Sequence, residues 1–192
     1  LTTTGPWSSV AKVGAIAGLG DVDGDGVADY AVGLPYLGLT ASTGYSGVVK
    51  IYSGASGALI RNIGGTAPND LLGYSLCAIG DVDGDGVGDL VAGAPQGETL
   101  QLGAYPGFGY VRVISGATGS TIRTIVGTGV TDFLGNSVAR LGDIDGDGID
   151  DFVAGAPEQT LITDNTGSTP PLSGGYLLAC SGATGAILYT IG

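Results

Sequence analysis

Asp21-Val-Asp-Gly-Asp-Gly-Val-Ala-Asp29, Asp81-Val-Asp-Gly-Asp-Gly-Val-Gly-Asp89 and Asp143-Ile-Asp-Gly-Asp-Gly-Ile-Asp-Asp151 are one nine-residue pattern written three times, 60 and then 62 residues apart. A fixed period of this size is the signature of a repeat architecture, so the chain is read as three units. Around each loop the same events recur. A short apolar stretch precedes it: Val13 to Leu19, Ser75 to Ile79 and Ser137 to Leu141. These runs are too short and too glycine-bounded for a helix and predict a first strand. Tyr30-Ala-Val-Gly33, Leu90-Val-Ala-Gly-Ala-Pro95 and Phe152-Val-Ala-Gly-Ala-Pro157 follow the loop and predict a second, stopped by proline.

A segment of variable length leads to Gly47-Val-Val-Lys-Ile-Tyr52, Gly109-Tyr-Val-Arg-Val-Ile114 and Gly175-Tyr-Leu-Leu-Ala-Cys180. The first two alternate in part, as a half-buried third strand does. The turns Ser53-Gly-Ala-Ser-Gly57, Ser115-Gly-Ala-Thr-Gly119 and Ser181-Gly-Ala-Thr-Gly185 then feed a fourth strand at Ala58 to Ile63, Thr121 to Val126 and Ala186 to Ile191. Four antiparallel strands per unit is the pattern of a propeller blade, with a solenoid as the alternative. The expected organisation is one repeat domain over 1–192, with blades at about 5–64, 65–127 and 128–192. Closed propellers use about 4–8 blades, so three are expected to be completed by self-association or by further blades of a longer chain. The start at Leu1 rather than Met reads as a processed or excised chain.

Each loop crowds four carboxylates into nine residues: Asp21, Asp23, Asp25 and Asp29; Asp81, Asp83, Asp85 and Asp89; Asp143, Asp145, Asp147 and Asp151. Two such charges about 4 Å apart repel by about 4 kcal/mol at an effective dielectric near 20. A cation removes that penalty, and an all-oxygen donor set selects calcium over zinc or copper. Positions 1, 3 and 5 surround one centre, glycine at position 6 makes the sharp turn, and position 7 offers a backbone carbonyl, here of Val27, Val87 and Ile149. An EF-hand would place Glu at position 12, where this chain has Val32, Ala92 and Ala154. The competing reading is an ordinary solvated acidic turn. Three copies at the same point of a repeat weigh against it.

These residues resemble the FG-GAP repeats of integrin α-subunit propellers and related bacterial surface proteins. Both halves of the family name are present, in Phe133-Leu-Gly135 and Leu72-Gly73 before the loop and in Gly93-Ala-Pro95 and Gly155-Ala-Pro157 after it. The first repeat departs, with Val13-Gly14 and Gly33-Leu-Pro35. The resemblance implies an all-β propeller with one Ca2+ per repeat, three in all, held by Asp21, Asp23, Asp25, Val27, Asp29 and their equivalents. It also implies ligand recognition on the face opposite the calcium loops.

The chain has 6 basic and 18 acidic residues, a formal charge of −12. That argues against nucleic acid and anionic membrane as partners, and three divalent ions would halve it. With no histidine, most catalytic and zinc arrangements are lost. The only carboxylates outside the four-acid pattern weighed for catalysis are Asp70, Asp132, Glu98, Glu158 and Asp164. Asp70 and Asp132 match each other across repeats, with Val10 in the first, and read as turn caps. No apolar run approaches the ~18 residues of a membrane helix. Variable segments at Tyr36 to Ser46, Gln96 to Phe108 and Glu158 to Gly174 share one face with the blade links, and Tyr36, Tyr45, Tyr105 and Phe108 are candidate contacts for a protein or glycan. Cys77 and Cys180 read as unbonded core strand residues, and Trp7 as packing on the first blade. Calcium sites of the weak extracellular type favour an extracellular, cell-surface or periplasmic setting. Three functions follow: a calcium-stabilised adhesion or ligand-binding module, a self-assembling structural block, and a carbohydrate-binding or enzyme-associated propeller.

Overall fold

The structure is a computed structural model that describes residues 12–38, 44–96, 107–129, 132–157 and 174–192. Trp7, Tyr105, Glu98, Glu158 and Asp164 lie outside the described residues, as does most of each variable segment. Twelve strands and no helix are found among the described residues. They are β1 (Ala15–Gly18), β2 (Tyr30–Leu34), β3 (Val48–Tyr52), β4 (Leu59–Gly64), β5 (Ser75–Ile79), β6 (Asp89–Ala94), β7 (Tyr110–Ile114), β8 (Thr121–Val126), β9 (Ser137–Gly142), β10 (Asp151–Ala156), β11 (Tyr176–Cys180) and β12 (Ile187–Ile191). Each consecutive set of four forms its own antiparallel sheet in sequence order. The chain is therefore three four-stranded blades.

The same register repeats from blade to blade: Ile16 pairs with Val32, Leu76 with Ala92 and Val138 with Ala154. The inner strands β1, β5 and β9 lie side by side across the blades. Two apolar layers glue the blades together. The first interleaves Ala17, Ala31, Val49 and Ile51 of blade one with Leu76, Leu90, Ala92 and Ile114 of blade two. The second sets Val91, Val111, Val113 and Ile125 of blade two against Phe152, Ala154, Leu178 and Cys180 of blade three.

The middle blade is thus covered on both sides, and β7 is buried at every position. The partial alternation of this stretch predicts a half-buried strand; its sandwiched place between two neighbours buries both faces instead. Blades one and three keep one side open. Ile16 and Tyr30 are exposed on blade one, and Leu141, Leu177, Tyr189 and Ile191 on blade three. Two strands also start earlier than the apolar pattern places them. β6 and β10 begin at Asp89 and Asp151, whose backbones pair with Ile79 and Gly142.

Cys77 and Cys180 carry free thiols, and both line the second layer. Burial pushes their pKa up to about 12 and about 11.

Candidate metal centre

Each acidic loop joins the first two strands of its blade at the same end. In the first, Asp21 Oδ1 accepts the Gly24 and Asp25 amides at 2.7 and 3.1 Å, and its Oδ2 accepts Gly26 at 2.7 Å. Asp23 accepts the Asp25 amide at 3.2 Å, and Asp25 accepts Val27 at 2.8 Å. Gly24 and Gly26 sit at φ +81° and +86°, in the left-handed region where glycine is unstrained. The loops at Asp81 and Asp143 repeat this pattern bond for bond. The backbone amides of Gly86, Gly84, Asp85 and Asp83 hold the Asp81 carboxyl below the usual range, the Gly86 amide contributing most.

The fourth acid has a different environment. Asp29, Asp89 and Asp151 are buried, and each carboxylate ties two segments together. Asp89 accepts Val82 N–H at 2.8 Å from its own loop and Gly116 N–H at 3.0 Å from the turn between β7 and β8. Asp29 does the same with Val22 and Gly54, and Asp151 with Ile144 and Gly182. A Cβ on Gly54, Gly116 or Gly182 would overlap the carbonyl oxygen of Ala28, Gly88 or Asp150 respectively, so this approach requires glycine. Burial raises the Asp89 pKa to about 6, and the charges of Asp83 and Asp85 add to that rise. The carboxyl prefers a cation beside it.

One carboxylate oxygen from each of three acids lies within 4.8 Å of the other two in every loop: Asp21, Asp23 and Asp29; Asp81, Asp83 and Asp85; Asp143, Asp145 and Asp151. Oxygens about 2.3–2.6 Å from one calcium ion lie no more than about 5 Å apart, so the donor set fits that ion. Together the three groups use all four positions of the pattern, leaving out only Asp25, Asp89 and Asp147, whose equivalents in other loops take part.

Two participants are not apparent as such in the sequence reading. Ser53 and Ser115, the first residues of the turns, donate to Asp25 and Asp85 at 3.4 Å, and their recurrence at one place in each repeat is the signal for them. Asp150 has no counterpart in the other loops. It accepts the Gly80 amide of blade two at 3.1 Å and pairs with Arg140 at 2.6 Å, linking the third loop to the start of the second.

At the opposite end, Asp70 and Asp132 do cap turns and do more besides. Asp70 accepts the Thr66 and Ala67 amides at 2.8 Å, the Gln96 side chain at 2.9 Å and the Tyr110 hydroxyl at 2.9 Å. Asp132 accepts Thr128, Gly129 and the Tyr176 hydroxyl. Burial first, and then the neighbouring Asp70 carboxylate, raise the Tyr110 pKa. Of the candidate contacts, Tyr36 and Tyr45 pack edge to face with centroids 5.8 Å apart, Lys12 sits 5.0 Å over the Tyr36 ring, and Phe108 is exposed.

Three stacked four-stranded blades, each opening on an oxygen-rich acidic loop, define a β-propeller module. The chain carries FG-GAP repeats: the family's sequence profile matches residues 72–114 and 134–169. It is 30% identical to integrin alpha-V of Gallus gallus over 152 residues, 76% of this chain and 14% of that protein. It is 36% identical to integrin alpha-PS2 of Drosophila melanogaster over 145 residues, 72% of this chain and 10% of that protein. In fold it resembles the rhamnogalacturonan lyase PL11 of Bacillus licheniformis, with TM-score 0.56 and 16% identity. It also resembles the rhamnogalacturonan lyase YesW, with TM-score 0.53 and 15% identity. Each likeness covers 93% of this chain and 34% of the lyase. The chain therefore spans only a small part of the integrins and about a third of the lyases.

Proposed function

We propose that the chain is a calcium-stabilised FG-GAP propeller module for extracellular adhesion or ligand binding, and that it is not itself an enzyme. The observation that carries this reading is the threefold convergence of carboxylate oxygens at a spacing that suits one calcium ion. The ligands assigned are Asp21, Asp23, Asp25, the Val27 carbonyl and Asp29, with Asp81, Asp83, Asp85, Val87 and Asp89, and Asp143, Asp145, Asp147, Ile149 and Asp151. Calcium supplies charge neutralisation there and fixes the loop against the following turn. The chain's own residues do the positioning: Asp29 and its equivalents hold the turn, and Ser53 and Ser115 orient the fifth-position acid.

Weak sites of the extracellular kind have dissociation constants of about 10⁻⁴ to 10⁻³ M. Millimolar calcium then stabilises the fold by about 1 kcal/mol per site. Such sites would be largely empty in a low-calcium cytosol, which supports an extracellular, cell-surface or periplasmic placement. Recognition of a protein or glycan is assigned to the face away from the loops, where rigid blades carry the variable segments. The open sides of blades one and three call for cover, from further blades or from self-association.

Calcium-binding calorimetry on the full chain tests the proposal. Three equivalents bound per chain is the expected outcome, falling to two in Asp83→Ala. Absence of saturable binding at millimolar calcium would leave the acidic loops as solvated turns.

A further inference from the structure

One contact repeats at both blade junctions. Leu72 forms a parallel bridge with Gly47, and Leu134 forms one with Gly109. The Leu72 amide donates to the Ser46 carbonyl at 3.1 Å and the Leu134 amide to Phe108 at 3.3 Å. The next residues, Gly73 and Gly135, hold φ +87° and +92°. Their carbonyls press so closely on Gly33 and Gly93 of the preceding blade that a Cβ there would overlap them. A Cβ on Gly73 would in turn lie 2.8 Å from the Gly33 Cα, and one on Gly135 2.9 Å from the Ala94 nitrogen. Glycine is required on both sides of the junction. At the second junction the Ser75 hydroxyl completes the contact, donating to the Gly135 carbonyl at 2.7 Å.

The third blade holds the same receiving parts without an occupant among the described residues. By register Gly155 matches Gly93 and Ser137 matches Ser75. The atoms nearest a Cβ on Gly155 would belong to the Ser137 and Leu177 side chains, with no backbone carbonyl among them. The Ser137 residue is exposed, and its hydroxyl has no partner among the described residues. Gly175, the counterpart of Gly47 and Gly109, lacks their positive φ and their bridge. Asn136, Ser137, Gly155, Pro157, Gly175 and Leu177 line a pocket of about 220 Å3 at this place.

We propose that this pocket receives the lead-in turn of another FG-GAP repeat, apolar-Leu-Gly-x-Ser with glycine at φ near +90°, and not the first repeat of a second copy of this chain. The proposal rests on the blade reading above and names the partner it requires. By register, Val13 stands in the first repeat where the second and third have Gly73 and Gly135. A β-branched residue is a steric outlier at that φ, and the junction has no room for its side chain. The fastening is missing too: Asp70 with Tyr110 and Asp132 with Tyr176 tie the turn to its own blade, and the first repeat has Val10 and Val48 at those positions. The pocket demands a feature that repeats two and three carry and repeat one does not.

Sedimentation velocity in millimolar calcium tests this on the full chain, beside a variant whose first repeat is given the missing parts: Val10→Asp, Lys12→Leu, Val13→Gly and Val48→Tyr. The unmodified chain is expected to stay monomeric and the variant to associate. Adding Gly155→Ala to the variant, a change whose methyl lies within 3 Å of only the rotatable Ser137 hydroxyl among its nearest neighbours in the free chain, is expected to return it to monomer with little change in melting. A synthetic peptide of residues 128–142 provides a second probe. It should bind the unmodified chain, and its Gly135→Val form should bind about tenfold or more weakly. Association of the unmodified chain that Gly155→Ala abolishes would overturn the proposal, because its own first repeat would then fit. A folded variant that stays monomeric, or equal binding of the two peptides, would also overturn it. Association that persists in chelator would count against the calcium reading while leaving this one standing.

Discussion

Asp89 and Asp83 belong to one loop and do different work. Asp89 is buried and is the acceptor for two amides, Val82 and Gly116, whereas Asp83 is exposed and accepts only Asp85. Removing Asp89 strands two donors, at about 1–3 kcal/mol each. Asp89→Ala is therefore expected to destabilise by about 2–6 kcal/mol in chelator and by about 1 kcal/mol more in calcium, because it is also an assigned ligand, whereas Asp83→Ala is expected to lose about 1 kcal/mol only when calcium is present. Paired denaturation curves separate the two outcomes. The four-acid spacing suggests a candidate cation site, but it does not tell the acid that also holds the turn from those that face solvent. That distinction comes from Gly54, Gly116 and Gly182, which reach the loop only in the folded blade. Asp150 was not legible at all, since its partner Gly80 lies 70 residues away and no other repeat has an acid there. The two cysteines were legible as core residues. With pKa values of about 12 and about 11, Cys77 and Cys180 are almost wholly protonated at pH 8. Alkylation at that pH is expected only after the chain is unfolded, and rapid labelling of the native protein would refute the buried placement.

Strands and turns were largely written in the repeat, because glycines and prolines bound each run and the register follows from the shared length. What the periodicity missed is which faces are covered. Val48 to Tyr52 and Tyr110 to Ile114 look alike in sequence, yet only the second is buried throughout, because its blade has a neighbour on each side. The link between blades also depends on contacts far apart in the chain. Tyr110 comes 40 residues after Asp70, whose carboxylate it caps, so spacing alone reveals a turn cap and not the tether. Tyr110→Phe removes one of several donors to that buried carboxylate. A loss of about 1–2 kcal/mol in denaturant unfolding is expected, and no loss would mean that the remaining donors suffice. Gly116→Ala acts at the other end of the blade, where the added methyl overlaps the Gly88 carbonyl. It is expected to destabilise by about 1–3 kcal/mol and to weaken calcium binding at the second loop alone.

At the scale of the molecule, three blades share two buried layers, and the outer sides of the first and third expose Ile16, Tyr30, Leu177, Tyr189 and Ile191. Threefold repetition made this architecture readable, since each loop, strand set and turn has two counterparts to check it. The repeats did not reveal what completes the stack, because completion turns on small departures in one of them, Val13 and Val48 above all. Under the proposed function, calcium would enter the energetics as a sum over the three loops, about 1 kcal/mol each at millimolar ion. The most direct test of that account is chemical denaturation of the full chain in millimolar calcium and in chelator. A difference of about 3 kcal/mol between the two curves is expected, abolished in the Asp23→Ala, Asp83→Ala, Asp145→Ala triple variant. Superimposable curves for the unmodified chain would contradict it.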